Sequence, residues 1–597
     1  MTEMSSPSLL MANESCNLTQ LLASRAANAP AHTFAELKDP NGTWVPVTVT
    51  DYYAHVRAVA KGLIATGIAT GDRVGIMADT RYEWAVMDFA ILAAGGVTVP
   101  VYPSSSAAQL AWIMADAGVT YVATDGPERA DAVAQASGTL LDLLALSELE
   151  AKGASVTDAQ LDARTANVMP QDLATIIYTS GTTGRPKGAM LSHANFVDHV
   201  RNIERDPDFG GFVAGEARLL LFLPLAHVFG RLAMILAMSA GVVTAFAPSN
   251  KTLAADMQSF KPTVLVVVPR VLETIYNRAD AGVTGVKKRI FRWAAKVARE
   301  YGALQPTGAR PERKPNAGLR ARHALADRLV LGKIRHATGG NLRYALSGGA
   351  RLNADIGNFF EGLGVTVLQG YGLTESTAAA LGTPEPSRVM GTVGRPLAGT
   401  SAALSEDGEI LLQGANIFMG YWQAPEATAA VMRDGWFATG DLGQIVDGAL
   451  SVVGRKKEIL VLSSGKNVQP AVLEDSIRTH PAIQDSVVVG EGRHFVSALV
   501  ALDDVMLPSW LEAHHLPTMT VEEAASDSRV RELVSRAVAL ANAHVSRAES
   551  IREFRILPHS FTEAREEMTA SLKVRRDNIL ANYADVVDEI YSKAQPA

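Results

Sequence analysis

Between Thr50 and Asp125 stretches of helical periodicity alternate with short β-branched runs, and no other feature limits the fold so tightly. Residues 52–66 read as helix, 73–77 as strand, 84–94 as helix, 97–101 as strand, 107–117 as helix and 119–123 as strand. Helices and strands in turn bury both faces of a mostly parallel, doubly wound sheet. The pattern resumes further on, with strands at 219–223 and 263–268, each closed by a proline. Two such α/β subdomains are therefore expected, one on each side of residues 178–188. From Gly391 the text turns to short strands and tight turns at Asp407-Gly408 and Asp447-Gly448, which predicts a small β-rich subdomain. A glycine and three bases without core residues, GRKKEIL from Gly454, read as a hinge. Beyond it a helix at 470–478, strands at 483–489 and 495–502 and a mostly helical remainder fit a small α+β domain. The expected division is 1–454, a hinge at 455–457, and 458–597. A chain of 597 residues is too long for a single core, and 48% hydrophobic residues suffice to fill several.

Residues 178–188 read YTSGTTGRPKG and follow the apolar run 173–177. A strand that opens into three glycines, four hydroxyls and Lys187 offers backbone amides, hydroxyls and one mobile cation to an anion. The candidate phosphate-holding residues are Thr179, Ser180, Gly181, Thr182, Thr183, Gly184 and Lys187. Pro186 precedes the lysine and Gly188 follows it, so the run lacks the Gly-Lys-Ser/Thr of a P-loop nucleotidase.

Several classes are excluded or disfavoured. A net charge of -7 argues against a nucleic-acid binder that works through overall charge. The single cysteine, Cys16, rules out a disulfide framework and a thiolate metal cluster. The N-terminus has an acid at Glu3 and no basic region, unlike a signal peptide. Residues 232–248 are apolar but shorter than the roughly 20 residues of a membrane span, and Ala240-Gly241 breaks them, so a buried helix followed by a core strand is expected. Residues 285–336 hold fourteen Lys or Arg against three acids, and KKRIFRWAAKVARE reads as a basic amphipathic helix. Such a helix is either a solvated excursion or, through Phe291 and Trp293, a contact with anionic lipid or a polyanion.

Four further runs carry chemistry. In QGYGLTES, from Gln369, glycines flank Tyr371, whose ring offers a stacking face for a flat base, and Glu375 is a hard oxygen ligand of the kind Mg²⁺ accepts. WFATGDLG holds Asp441 at a turn, GRKKEILVLSSGKNVQPAVLE holds Arg455, Lys457 and Gly465, and MTASLKVRR holds Lys573. In their order and separations the five runs resemble the motifs of the acyl-adenylate-forming enzymes, which include acyl-CoA synthetases, peptide-synthetase adenylation domains and luciferases. LPLAHVFGR, VPRVLETIYNR and GGNLRYALSGGARL are similar to the long-chain acyl-CoA synthetases within them. The charged stretch TEAREEM before Thr569 departs from the family pattern.

The resemblance implies ATP-dependent activation of a long-chain fatty acid to acyl-AMP, with Mg²⁺, followed by transfer to CoA. It implies phosphate contacts for the loop; adenine or ribose contacts for Gly348, Gly349, Ala350, Gln369, Gly370, Tyr371, Gly372, Asp441 and Arg455; and Glu375 as the metal ligand. Thr374 would donate to the α-phosphate, His227 would lie near the acyl carboxylate, and Lys573 would approach the α-phosphate. A mobile C-terminal domain would turn about Lys457 and bring the Gly465 face to the acyl-adenylate. A cytoplasmic enzyme, with peripheral membrane contact through 285–336, is the expected setting. The alternatives are an acyl-AMP ligase that loads a carrier protein and a catalytically silent acyl- or nucleotide-binding protein.

Overall fold

The computed structural model describes residues 2–11, 14–179, 186–249, 251–304, 314–385, 388–569 and 573–593. Among them two large sheets carry the frame, one of seven strands and one of nine. The first has a parallel core of Leu173–Thr179, Val97–Val101, Arg73–Met77, Tyr121–Thr124 and Thr139–Asp142. In the second, Thr33–Lys38, Val243–Phe246, Arg218–Leu221, Val264–Val267, Tyr344–Ser347 and Thr366–Leu373 run parallel. Antiparallel strands close both edges of the second sheet and one edge of the first. The alternation of helix and strand is thus as expected.

The sheets do not divide at residues 178–188, however. Thr33–Lys38 and Trp44–Thr48 from early in the chain join the nine-stranded sheet, while Lys187–Ser192 and Gly420–Tyr421 join the seven-stranded one. Periodicity reports which residues form a strand; the choice of neighbour is a non-local packing decision.

The β-rich subdomain is a six-stranded sheet that runs from Thr400–Leu404 through Glu409–Gly414 to Trp436–Val446. Thr2–Ser6 adds an edge strand from the far end of the chain. Its last hairpin turns at Asp447 and Gly448, with φ of 51° and 79°, the left-handed pair a two-residue hairpin needs. In the C-terminal unit Ile483–Val489 and Val496–Leu502 form as expected, but Ile551–Ile556, expected to be helical, is a third strand parallel to Val496–Leu502. Its sequence IREFRI sets Arg552 and Glu553 in succession, so strict alternation fails where the pairing shifts register by one residue. Separate apolar clusters fill the two faces of this sheet.

One helix matters most for the site. Val228–Ala240 is buried almost throughout, capped at its end by left-handed Gly241 (φ 79°) and followed by Val243–Phe246. The apolar stretch 232–248 is therefore core helix plus core strand, as its length predicts, and no helix of the described residues is long and apolar enough to cross a membrane. Arg231 fixes the helix by a 2.7 Å ion pair with Asp88 of Tyr82–Ala93, both side chains wholly buried, and Asp88 also accepts the Thr98 hydroxyl. A buried pair of this kind costs several kcal/mol to break from one side, so the start of the helix is held in place.

The basic segment forms Gly285–Gly302 and Ala317–Ala326. Phe291 is buried and Trp293 half-buried against the core, so neither serves as the exposed aromatic anchor expected of them. The exposed apolar side chains are instead Val286, Ile290, Leu325 and Leu329. An 18-residue helix carries two distinct arcs, and the aromatic one faces inward here.

Candidate active site

Leu173–Thr179 and Lys187–Ser192 pair antiparallel as the two arms of a β-hairpin, with Thr179 opposite Lys187. Ser180, Gly181, Thr182, Thr183 and Gly184 lie outside the described residues. The hairpin is anchored by Tyr178, whose hydroxyl donates to Asp116 at 2.5 Å. Gly420–Tyr421 pairs with the returning strand and sets the Tyr421 ring 5.2 Å from the Lys187 ammonium. The Tyr421 hydroxyl in turn donates to Glu375 at 2.8 Å. Tyr421 thus joins Lys187 to Glu375. Nothing in its sequence context, FMGYW, marks it out.

Glu375 is buried on a short 3-10 turn, Thr374–Ser376, at the end of Thr366–Leu373. The turn requires Gly372, because a Cβ there would sit 1.7 Å from the Ala378 carbonyl oxygen. Thr374 is half-buried on the same turn. One residue upstream of Gly372, the Tyr371 hydroxyl donates to Asp441 Oδ2 at 2.7 Å, and Arg455 Nε lies 3.4 Å from Asp441 Oδ1. Asp441 and Arg455 are cross-strand neighbours in the last hairpin of the β-rich sheet. A carboxylate has about four lone-pair positions, so Asp441 retains acceptor capacity beyond these two partners. Burial pushes its pKa up, against the pull of Arg455, Tyr371 and Lys573.

His227 caps the helix Val228–Ala240, and its Nδ1 accepts the Phe229 N–H at 3.1 Å. Burial, and then the charge of Lys573, pull its pKa down to about 3. With Nδ1 accepting, the neutral ring carries its proton on Nε2.

Lys573 arrives from the C-terminal unit. Thr569 N–H donates to the Lys573 carbonyl at 2.8 Å and Lys573 N–H returns to Thr569 Oγ1 at 3.0 Å, while Arg575 N–H reaches the Glu567 carbonyl at 2.8 Å. The charged stretch TEAREEM serves this loop: Glu567, wholly buried, accepts from Arg565 at 3.2 Å. Lys573 keeps access to solvent, yet protein crowds round it. Lost hydration and then Arg455 lower its pKa, against Asp441 and Glu375. His227, Glu375, Asp441, Arg455 and Lys573 therefore share one electrostatic neighbourhood, built from segments nearly 350 residues apart.

Beside this cluster lies an apolar cavity with about 810 Å³ of empty space, counting the part that opens to solvent. Its walls include Val266 and Leu368 of the nine-stranded sheet, Phe229 and Leu236 of the helix Val228–Ala240, and Ile203 and Phe212 of the segments His193–Arg205 and Gly210–Val213. It meets the polar cluster through Phe229 and Gly370, next to His227 and Tyr371. Gln369 turns its side chain to this wall. Its Oε1 and the Oγ of Ser347, its neighbour across the parallel strands, are buried without a hydrogen-bond partner. Gly348 packs against the Phe229 ring and Gly349 adopts φ 81°, so the Gly348-Gly349-Ala350 turn borders both regions.

Among the described residues no three His, Cys, Asp or Glu side chains gather to hold a metal. A single buried carboxylate such as Glu375 still suits Mg²⁺, which takes one or two carboxylates and completes its shell with water and phosphate oxygens. Gly465 lies exposed on a hairpin turn between Leu460–Val461 and Asn467–Val468, apart from the Lys573 cluster.

Two α/β sheets, a β-rich unit and a small C-terminal unit that brings a lysine to an acidic, tyrosine-lined cleft together define an adenylate-forming enzyme. Residues 22–422 match the model of the AMP-binding enzyme family and residues 457–595 that of the AMP-binding enzyme C-terminal domain. The chain belongs to the AMP-binding enzyme family. It is 41% identical over 609 residues to the long-chain-fatty-acid–CoA ligase FadD15 of Mycobacterium tuberculosis, covering 99% of this chain and 100% of that one. It is 27% identical over 604 residues to the long-chain-fatty-acid–CoA ligase ACSBG1 of Mus musculus, covering 92% and 82%. In fold it is similar to the ATP-bound crystal structure of MatB from Rhodopseudomonas palustris, with TM-score 0.69, 24% identity and coverage of 96% and 100%.

Proposed function

We propose that the chain is a long-chain fatty acid–CoA ligase that works through an acyl-adenylate. The observation that carries this reading is the junction of an apolar cavity with a cleft where Lys573, His227, Glu375, Asp441 and Arg455 act on one another. The acyl chain occupies the cavity, and a carboxylate oxygen attacks the α-phosphorus of ATP. The new P–O bond forms as the bond to pyrophosphate breaks, and negative charge builds on the phosphoryl oxygens. Lys573 places its positive charge there, Thr374 donates a hydrogen bond, and neutral His227 holds its Nε2–H toward the carboxyl end of the chain. Lys187, Thr179 and the loop residues Ser180, Gly181, Thr182, Thr183 and Gly184 hold the departing pyrophosphate. Tyr371 stacks on the adenine between the turns Gly348-Gly349-Ala350 and Gln369-Gly370. Asp441 and Arg455 bind the ribose. Glu375 is the ligand proposed for Mg²⁺, which when bound neutralises phosphate charge.

In the second step the CoA sulfur attacks the acyl carbon, AMP leaves, and the thiol proton passes to solvent. Lys573 has no part in it. The C-terminal unit, residues 458–597, is proposed to turn about Lys457 and present Gly465 to the pantetheine arm. Lys456 is tied to Asp407 and to Glu409 of the β-rich sheet, the latter at 3.1 Å, whereas Glu458 already acts on Arg576 of the C-terminal unit. Glu458 acts on Asp441 of the large region as well, so Lys457 stands at the start of the stretch that both units share.

The experiment is a pyrophosphate-release screen across fatty acids of graded length, with and without CoA. Release with long acids, and AMP release that depends on CoA, are expected. Release without any response to CoA overturns the ligase in favour of a carrier-protein acceptor, and no release at all favours a silent binding protein.

We also propose that the enzyme works in the cytoplasm against the inner membrane face, with 285–336 as the contact. Val286, Ile290, Leu325 and Leu329 are exposed there beside Lys287, Arg289, Arg320 and Arg328, for which no acid serves as partner among the described residues. Cosedimentation with anionic but not neutral vesicles is expected, and equal binding to both removes the electrostatic part of the reading.

A further inference from the structure

The C-terminal unit meets the rest of the chain through a cluster of charged side chains remote from Lys573. From the large region come Arg270 and Glu273 of the helix Pro269–Ala281, and Arg351, next to Ala350 of the glycine turn. From the C-terminal unit come Asp475 and Arg478 of the helix Pro470–Arg478, Asp485, and Asp503. Arg270 donates to Asp503 and lies 3.6 Å from Glu273. Arg478 acts on Glu273 and donates to Asp475, while Arg351 acts on Asp475.

The short helix Pro470–Arg478 faces two ways. Asp475 and Arg478 feel the charges of Arg351 and Glu273 in the large region. Through Glu474 it holds Arg576, with hydrogen bonds of 2.6 and 2.7 Å, and Arg576 also donates to the Val488 carbonyl at 2.8 Å. Arg576 stands three residues after Lys573. A line of interacting charges thus runs from Arg270 and Glu273, through one two-turn helix, to the base of the loop that carries Lys573.

The cluster is incompletely satisfied. Arg270 Nη1 and Glu273 Oε2 are both buried without a hydrogen-bond partner. Partly satisfied buried networks are costly to keep, which suits a contact made to be broken.

We infer that the Arg270–Asp503 contact is a docking latch that positions Lys573 for the adenylation step. The inference rests on the proposed role of Lys573. Arg270 and Asp503 are positioning residues that touch no substrate, so their loss acts on the population of the docked state.

The test measures ATP–pyrophosphate exchange and thioester formation from supplied acyl-AMP and CoA in Arg270→Met and Asp503→Asn. Asparagine at 503 keeps the oxygen that accepts the Val505 and Met506 N–H groups, so Asp503→Asn carries the test should Arg270→Met fail to fold. Each variant is expected to lose about 10-fold in the exchange kcat, as a coupling of ordinary size does. KM for ATP and fatty acid stays unchanged, and thioester formation is preserved. The double variant loses no more than the worse single one, because both remove the same contact, and Arg270→Lys recovers part of the loss. Unchanged exchange, equal loss in both half-reactions, or a loss confined to KM overturns the latch. Lys573→Ala in the same assay separates the two ideas: if it keeps full exchange, the role of Lys573 fails; if it loses exchange while Arg270→Met and Asp503→Asn do not, only the latch fails.

Discussion

The apolar cavity and the charged cleft beside it are built on opposite plans. The cavity takes nearly all its wall from one sheet, one helix and the segments packed on them, and apolar contact is non-directional, so its grip on a ligand is graded by volume. The cleft takes Lys187 from a hairpin, His227 from a helix cap, Glu375 from a tight turn, Asp441 and Arg455 from the β-rich sheet and Lys573 from another unit. Its effect depends on charges held at set positions, so it works as a whole or scarcely at all. Under the proposed function, binding falls to a part built from a few neighbouring elements and chemistry to a part drawn from many separate ones.

The sharpest way to break this contrast is Lys573→Ala. A loss of roughly 10² or more in adenylation is expected, the size seen on removing one strong transition-state donor, while thioester formation from supplied acyl-AMP survives. A similar loss in both steps removes the contrast, and stopped pyrophosphate-exchange assays decide it. Next in size is Lys457→Pro. Fixing the backbone torsion at the proposed hinge should slow thioester formation about 10-fold more than adenylation, as single-turnover kinetics of the two steps will report.

The cavity should respond differently. Ala237→Phe adds volume to its wall, and the longest acids should lose about 10-fold in kcat/KM while short acids lose little, since a methylene in such a site is worth ~1 to 3 kcal/mol. A uniform loss over all lengths means that Ala237 does not bound the acyl chain. The smallest effect is that of pH. With His227 near 3, adenylation should show no inflection near 6.5 from this ring. His193 and His199, also held near 4 by burial, refuse protons that the unfolded chain accepts below about 6.5. The unfolded state then binds more protons, so stability falls as pH drops from about 6.5 toward 4. Urea midpoints across that range test it, and a flat profile contradicts the burial of both rings.

Much of this was legible before any coordinates. The strands 73–77, 97–101 and 483–489 and the helices 107–117 and 470–478 stand where periodicity places them. The apolar run 232–248 proved to be a core helix and strand on the argument of length alone. Other features escaped. Tyr421 bridges Lys187 and Glu375 only because Gly420–Tyr421 pairs with a strand some 230 residues earlier. Phe291 and Trp293 looked like surface anchors, but the arc of their helix that faces inward is set by what it packs on.

The sequence by itself determined the elements and the chemical groups, because local periodicity, turn residues and the reactive side chains are written in short stretches of chain. It also determined the family, through five motifs in fixed order. Only the tertiary structure decided that the two sheets exchange strands across the hairpin, that Gln369 lines the apolar cavity, and that Asp503 of the C-terminal unit meets Arg270 of the large region. Those are contacts between distant segments, fixed by which buried surfaces and charges find partners, and no local pattern of residues encodes them.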